Sequence, residues 1–307
     1  MIYNYTGDEE VKGVQEKMDK FNNLKKKSER LVAIGGGTIL IGGIVYLLLL
    51  SWLGENSAFF AFLIIVTGVI VAIIGGVEFS KLKKKFKFEV LSTFFSEAIP
   101  GITYLPNQGL SQPDVYATEF LKRADRFYSE DMLQGKLDEV DFLSSDVKLE
   151  ERHVQHTKNG TRVYYVPYFI GRVFKFTFNK PFDGYLQVLE GGSPLSNRKF
   201  KKVELESVDF NKKFKTYSTN ELSAFYVLTP DIMEAIFELE KRNPGRIGLS
   251  FSEENLYIAI NNGKDTFEIK MFKKIDDLMM DGFKRDLLVI KDFIHTLKLN
   301  TKIFKKM

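Results

Sequence analysis

Apolar positions are concentrated in two runs near the start of the chain, residues 31–53 and 58–77. Neither run holds a charged side chain, and little more than Gly54-Glu55-Asn56 separates them. At the helical rise the first would be about 35 Å long, enough to cross a hydrocarbon core of roughly 30 Å with some tilt. The second is roughly 20 residues long, again a full span. The pattern therefore predicts a two-helix transmembrane hairpin.

Around the hairpin the periodicity changes. Before it, Val11, Val14, Met18, Phe21 and Leu24 recur at three and four, which predicts an amphipathic helix over 1–30. After it, Phe86, Phe88, Leu91, Phe94, Phe95, Ala98 and Ile99 continue a helical pattern until Pro100-Gly101 ends it. A short helix is predicted over 118–127, and alternation with a period of two follows. Strands are predicted around Val147 and Leu149, Val163 and Tyr165, Phe174 to Phe178, 185–189, 203–205 and 224–228. Thr229-Pro230-Asp231 reads as a helix start, and Asn243-Pro244-Gly245 as its stop. Strands over 247–251 and 256–260 come next, with a third over 266–270 after the Asn262-Gly263 turn. The chain closes on a helix whose face carries Phe283, Leu287, Ile290, Phe293, Ile294 and Leu297.

Strands in runs with helices at the ends argue α+β. The expected fold is a transmembrane hairpin over 31–80, then a connector helix and a cytoplasmic domain over 81–307 with a mainly antiparallel sheet and flanking helices. Orientation comes from the flanks. Lys25, Lys26, Lys27 and Arg30 precede the first span, and Lys81, Lys83, Lys84, Lys85 and Lys87 follow the second. The connecting loop holds only Glu55, so both termini are expected in the cytoplasm. Trp52, at the loop end of the first span, suits the headgroup layer. Gly68, Ala72 and Gly76 recur every four residues, as do Thr38 and Gly42, giving each span a smooth face for close packing. Packing of the hairpin on itself is the favoured use of these faces, and homo-oligomerisation is the alternative.

Charge and composition then narrow the chemistry. The flanking cations outnumber the net charge of +4, so the basic excess is topological and leaves no footprint for nucleic acid. There is no cysteine, which removes disulfides, thiol nucleophiles and cysteine metal sites. The glycines of the first span lack the Gly-Lys-Ser/Thr ending of a phosphate loop. Glu151, His153 and His156 lie close together in a manner that suggests a divalent metal, yet on a strand the two histidines point to opposite faces. A solvated polar edge is the simpler reading, and neither metal nor cofactor is expected. Ser129-Glu130-Asp131 could be an acidic site, but suits a helix start or turn better. Glu204 and Glu206 flank Leu205 and, on a strand, would leave the same face amid lysines able to neutralise them.

Pro100-Gly101 with Tyr104 and Pro106, Tyr128-Ser129-Glu130-Asp131 with Gly135, and Phe169-Ile170-Gly171 form a recurring order with the double span. Val203-Glu204-Leu205-Glu206-Ser207 with Phe210 and Phe214, then Leu228-Thr229-Pro230, complete it. In this order the chain resembles the bacterial two-span membrane proteins of domain-of-unknown-function family 3137. The resemblance implies a bacterial inner (plasma) membrane location and a LemA-type membrane protein as partner, and supplies no activity and no catalytic residues. Two function classes stay open. The favoured one is a non-enzymatic, membrane-anchored interaction or scaffold protein presenting an α+β domain to the cytoplasm. The alternative is a membrane-bound hydrolase whose acidic site is assembled by the fold.

Overall fold

The computed structural model describes residues 8–54, 57–158, 160–177, 182–196 and 198–299, the side chains of 8–15, 51–53 and 57 excepted. The chain divides into two units, one of residues 1–93 with 268–281, the other of 94–267 with 282–307.

The first unit is built on α1 (Asp8–Leu53) and α2 (Ser57–Phe86), both containing stretches long and apolar enough to cross a membrane. The amphipathic arm and the first apolar run form one continuous helix. A π-helical turn, Lys87–Leu91, and then α3 (Ser92–Ala98) extend α2 without a break, and the chain turns at Gly101 with a φ of +89°. The buried stripe of the arm differs from the expected one. Met18, Phe21, Asn22, Lys25 and Ser28 face inward, whereas Leu24 is 41% exposed. The reason lies far along the chain, where residues 268–281 return to this unit. Asn22 donates to the Ile275 carbonyl at 2.7 Å and accepts its N–H at 2.9 Å, and Glu29 accepts from the Phe272 N–H at 2.6 Å. Asn22 is thus buried because a returning strap satisfies it, while Lys25 pairs with Glu29 and Ser28 donates to the Leu24 carbonyl at 3.4 Å. The side chains of Val11, Val14 and Trp52 lie outside the described residues.

Small residues set how closely α1 and α2 approach. A Cβ on Gly35 would stand 2.5 Å from the Ala72 backbone nitrogen and 2.6 Å from the Gly68 carbonyl. One on Gly68 would stand 2.7 Å from the Gly35 carbonyl, and one on Gly42 would stand 2.7 Å from the Ile65 side chain. Gly42, Gly68 and Ala72 therefore lie in the contact. Gly76 does not: its Cβ position meets open space, and Gly75 takes its place against Val32. Counting by four drifts off a helix with 3.6 residues per turn, so the contact runs 68, 72, 75.

The second unit is a nine-stranded sheet with helices. Its strands are β1 (Ile102–Leu105), β2 (Arg126–Leu137), β3 (Val140–Thr157), β4 (Gly160–Thr177), β5 (Tyr185–Leu189), β6 (Lys201–Val203), β7 (Lys215–Ser218), β8 (Arg246–Ser252) and β9 (Asn255–Asn261). Their order is β1-β2-β3-β4-β9-β8-β5-β7-β6, with every pair antiparallel. The helices are α4 (Gln112–Tyr116), α5 (Val208–Lys213), α6 (Glu221–Val227), α7 (Pro230–Arg242) and, from Gly282 on, α8 (Asp277–Thr296). Consecutive residues of β8 and β9 are buried, so the sheet centre is covered on both faces. One face packs Val147, Leu149, Phe169 and Val173 against Leu110 and Val115. On the α8 side, Phe174 and Phe176 meet Phe293 edge-on at 5.0 and 6.1 Å. Each buried phenylalanine contributes about 1.5–3 kcal/mol relative to its exposed state.

The α+β class, α7, the apolar face of α8 and most strands follow the sequence pattern. Four elements do not. The helix expected over 118–127 is α4 instead, capped by Ser111 on the Asp114 N–H, and Glu119 with a φ of +56° prevents its continuation. Residues 224–228 fall within and just after a helix, α6, because Asn220 caps it through the Ser223 N–H. The strand expected over 203–205 ends at Val203, since the Asn211 side chain takes both backbone groups of Leu205, at 3.1 and 2.6 Å. Glu204 and Glu206 are therefore off the sheet, both exposed, with Glu204 ion-paired to Lys202. Residues 266–270 form no strand: β9 already pairs with β4 on one side and β8 on the other, leaving no edge for a hairpin.

Candidate functional site

The second unit encloses a network of charge that begins at a bulge in β2. Register slips between Glu130 and Leu133, and Asp131 is buried with a φ of +57°. An aspartate tolerates the left-handed region better than most side chains. The bulge is held from the loop after β1, where the Pro106 carbonyl accepts from the Asp131 N–H at 3.2 Å and the Gln108 carbonyl from the Met132 N–H at 3.0 Å. It aims the Asp131 carboxylate at Tyr104, whose hydroxyl donates to it.

Arg172, buried in β4, ties the bulge to β3. Its Nη1 donates to Asp146 Oδ1 at 3.1 Å, its Nη2 to the Asp131 carbonyl at 2.8 Å and its Nε to Ser144 Oγ at 3.3 Å. The guanidinium lies 4.6 Å from the centre of the Phe267 ring. Asp146 also accepts from the Thr266 N–H at 2.6 Å and the Thr266 hydroxyl at 2.8 Å. Residues 266–270 were expected to donate to a sheet; Thr266 donates to this carboxylate instead.

Burial pushes the Asp146 carboxyl up to about 7, against the pull of Arg172 and the Thr266 donors in the other direction. Its stabilising contribution is therefore present below the ordinary carboxylate range and lost as pH rises through about 7. Burial, then the Asp131 charge, raises Tyr104, which stays a protonated donor. Asp286 is raised by burial too, and Arg172, Lys264 and Arg285 oppose that shift.

A cavity of about 220 Å³ adjoins the network, lined by Tyr128, Glu130, Asp146, Lys148, Lys264 and Asp265 among others. Carboxylate oxygens of Glu130, Asp131 and Asp265 lie within 4.8 Å of one another. That spacing would suit a hard divalent cation, although Asp131 is already engaged by Tyr104. Three carboxylates and two lysines are among the residues lining this cavity, and none of them is a histidine.

The sequence-predicted site residues lie elsewhere. Glu151, His153 and His156 belong to β3. His153 Nε2 is 4.0 Å from Glu151 Oε2 and its ring stacks on Tyr164, while His156 Nδ1 is 3.1 Å from Thr161 Oγ1 on the other strand. The basic flanks divide into two groups. Lys25 is 3% exposed and paired with Glu29; Lys83 and Lys87 pair with Glu268, Lys81 with Glu78 and Lys85 with Glu89. Lys26, Lys27, Arg30 and Lys84 have no carboxylate partner among the described residues. The buried network was missed because its members are far apart in sequence, from Tyr104 to Asp286. Its one local signal was Ser129-Glu130-Asp131.

A second feature is the tip of the β3–β4 hairpin. β2 pairs with β3 only as far as Glu150, and β9 reaches β4 only at Gly171. Beyond those points residues 151–157 and 160–166 form a two-stranded ribbon, exposed on both faces. It carries Val154, Val163, Tyr164 and Val166, each at least 40% exposed. Val154 pairs with Val163 across the strands, and at its base the Arg126 guanidinium lies 3.4 Å from the centre of the Tyr165 ring.

No curated protein matches the chain. Among solved structures, the crystal structure of the mycobacterial trehalose monomycolate transport factor A, TtfA, is similar at 8% identity with a TM-score of 0.37, over 67% of this chain and 92% of that one. The resemblance quoted at Pro100-Gly101, Tyr104, Pro106, Tyr128 to Asp131 and Gly135 lies before the stretch that a family comparison matches. Within it, Gly171 has a physical reason to be glycine, since a Cβ there would stand 1.9 Å from the Ile260 carbonyl. Residues 168–299, which hold Phe169-Ile170-Gly171, the 203–207 run and Leu228-Thr229-Pro230, match the family described as Protein of unknown function (DUF3137).

Proposed function

We propose that this chain is a membrane-anchored interaction protein: α1 and α2 cross the plasma membrane of a bacterium as a hairpin, both flanks lie in the cytoplasm, and the α+β unit binds a protein partner there. The observation that carries the anchoring is where the apolar surface lies. Core helices of soluble proteins are mostly buried, yet only 11% and 17% of the most apolar windows of the two helices are. Leu40, Leu47, Leu48 and Phe62 each expose more than 60% of their surface. In water such surface would drive aggregation, and in a bilayer it is solvated.

Binding rather than catalysis is favoured by the use of the buried charges. Asp146, Arg172, Asp131 and Tyr104 make hydrogen bonds with one another, with the Ser144 and Thr266 hydroxyls and with the backbone. A two-stranded ribbon is marginal in water by itself, and exposed valines and tyrosines on it suit a protein contact. The family resemblance suggests a LemA-type membrane protein as the partner.

The test is a photo-crosslinking residue in place of Tyr164, in the full chain co-expressed with a LemA-type protein from the same source. A crosslink that disappears on Val154→Lys with Val163→Lys is expected. The same crosslink from the exposed Lys212 position, or none from Tyr164, would refute the ribbon as the contact.

A further inference from the structure

We propose that α1 carries a binding site for the phosphate of an anionic lipid headgroup, formed by Asn23, Lys26, Lys27 and Arg30. The proposal rests on the membrane-anchored reading. These residues line a cavity of about 260 Å³ whose remaining wall is Leu31. The spacing of three, four and seven puts them on one side of the helix. That side is the exposed one, opposite the buried stripe of Phe21, Asn22, Lys25 and Ser28.

Three observations point to a phosphate. No carboxylate lines the cavity, so its charge is uniformly positive. Its cations, like Lys84 on the other flank, meet no carboxylate among the described residues, whereas Lys25, Lys81, Lys83, Lys85 and Lys87 have acidic partners. The donor set, a guanidinium fork, two ammonium groups and an amide, is that of a phosphate site.

Depth selects a lipid over a soluble anion. The uncharged stretch begins at Leu31, so the cations at 26, 27 and 30 stand about 1.5–8 Å before it along the helix axis. A headgroup layer is roughly 5–8 Å thick on each side of the hydrocarbon core, which puts all three at phosphate level. Leu31 then meets the first part of the acyl chains. The volume is below that of typical drug-sized sites, as suits a headgroup whose tails stay in the bilayer.

The test uses the full chain in mild detergent, titrated with fluorescent phosphatidylglycerol and, as the zwitterionic reference, fluorescent phosphatidylcholine. Lys26→Gln/Lys27→Gln/Arg30→Gln is expected to weaken phosphatidylglycerol binding roughly a hundredfold and to leave phosphatidylcholine unchanged. Lys81→Gln/Lys84→Gln/Lys85→Gln removes the same charge from the other flank and should keep most of the preference. Equal losses in the two triples would show diffuse attraction and overturn the site. Competition by millimolar inorganic phosphate would assign the pocket to a soluble anion and overturn the lipid. Carbonate extraction of membranes reports on anchoring separately. A released chain that still binds phosphatidylglycerol through these three cations refutes the anchoring and keeps the pocket; a retained chain without the preference does the reverse.

Discussion

Replacing Arg172 with methionine is expected to destabilise the α+β unit by about 3–5 kcal/mol at pH 8, the cost of removing one partner from a buried ion pair. The substitution keeps an apolar stem of similar length, so the loss comes from charge and hydrogen bonding more than from volume. Asp146 would keep the two Thr266 donors, and the Asp131 carbonyl would lose the Nη2 donor of Arg172. The sign of the pH dependence follows from Asp146. Its pKa is already raised to about 7 in the folded state, and without Arg172 it rises further. Toward pH 5.5 Asp146 is protonated in the variant as in the wild type, so the deficit is smallest there; it grows as pH rises through about 7, where the wild type ionises first, and is full above the variant's own higher pKa. Asp146→Asn should abolish most of that slope. Urea unfolding of the full chain in mild detergent, followed by far-UV circular dichroism at both pH values, checks this. A deficit below about 1 kcal/mol, or one independent of pH, would mean that the network is solvated in ways its hydrogen bonds do not suggest.

The second large effect is expected in the helical unit. Gly35→Val should disrupt the α1–α2 contact, because its Cβ would fall 2.5 and 2.6 Å from backbone atoms of α2, which cannot turn aside as a side chain can. Overpacking typically costs about 1–3 kcal/mol, and a backbone obstacle belongs at the upper end. Gly36→Val is the matched control, since nothing lies within 4 Å of its Cβ position. Both substitutions change helix propensity in the same way, so their difference isolates packing. Titration with a denaturing detergent should unfold Gly35→Val well before Gly36→Val. Coincident curves would mean that the two helices are not held together by this face.

Legibility from sequence followed the range over which each signal acts. The apolar runs, the Thr229-Pro230-Asp231 start of α7 and the face of α8 are local patterns and were readable. The failures came where a distant residue overrode a local preference. Residues 224–228 look like a strand until Asn220 caps a helix, and 266–270 cannot extend a hairpin once β9 has neighbours on both sides. The burial of Lys25 depends on Glu29 and that of Asn22 on a strap some 250 residues away, which no periodicity can encode. The candidate sites divide likewise. The basic flanks were visible as charge, but which cations stay unpaired required the positions of Glu268, Glu78 and Glu89. The Tyr104–Asp131–Arg172–Asp146 network is brought together by strand pairing, and only its bulge residues stood out in the chain.

The most direct test of the account is the side of the membrane on which each segment lies. The chain has no cysteine, so single substitutions report without background. Ser57→Cys sits between the two apolar runs, and Lys212→Cys replaces an exposed lysine of α5. A membrane-impermeant maleimide applied to intact spheroplasts is expected to label Ser57→Cys and to reach Lys212→Cys only after permeabilisation. Labelling of Lys212→Cys in intact spheroplasts, or protection of Ser57→Cys until the membrane is opened, would contradict a hairpin with both flanks in the cytoplasm.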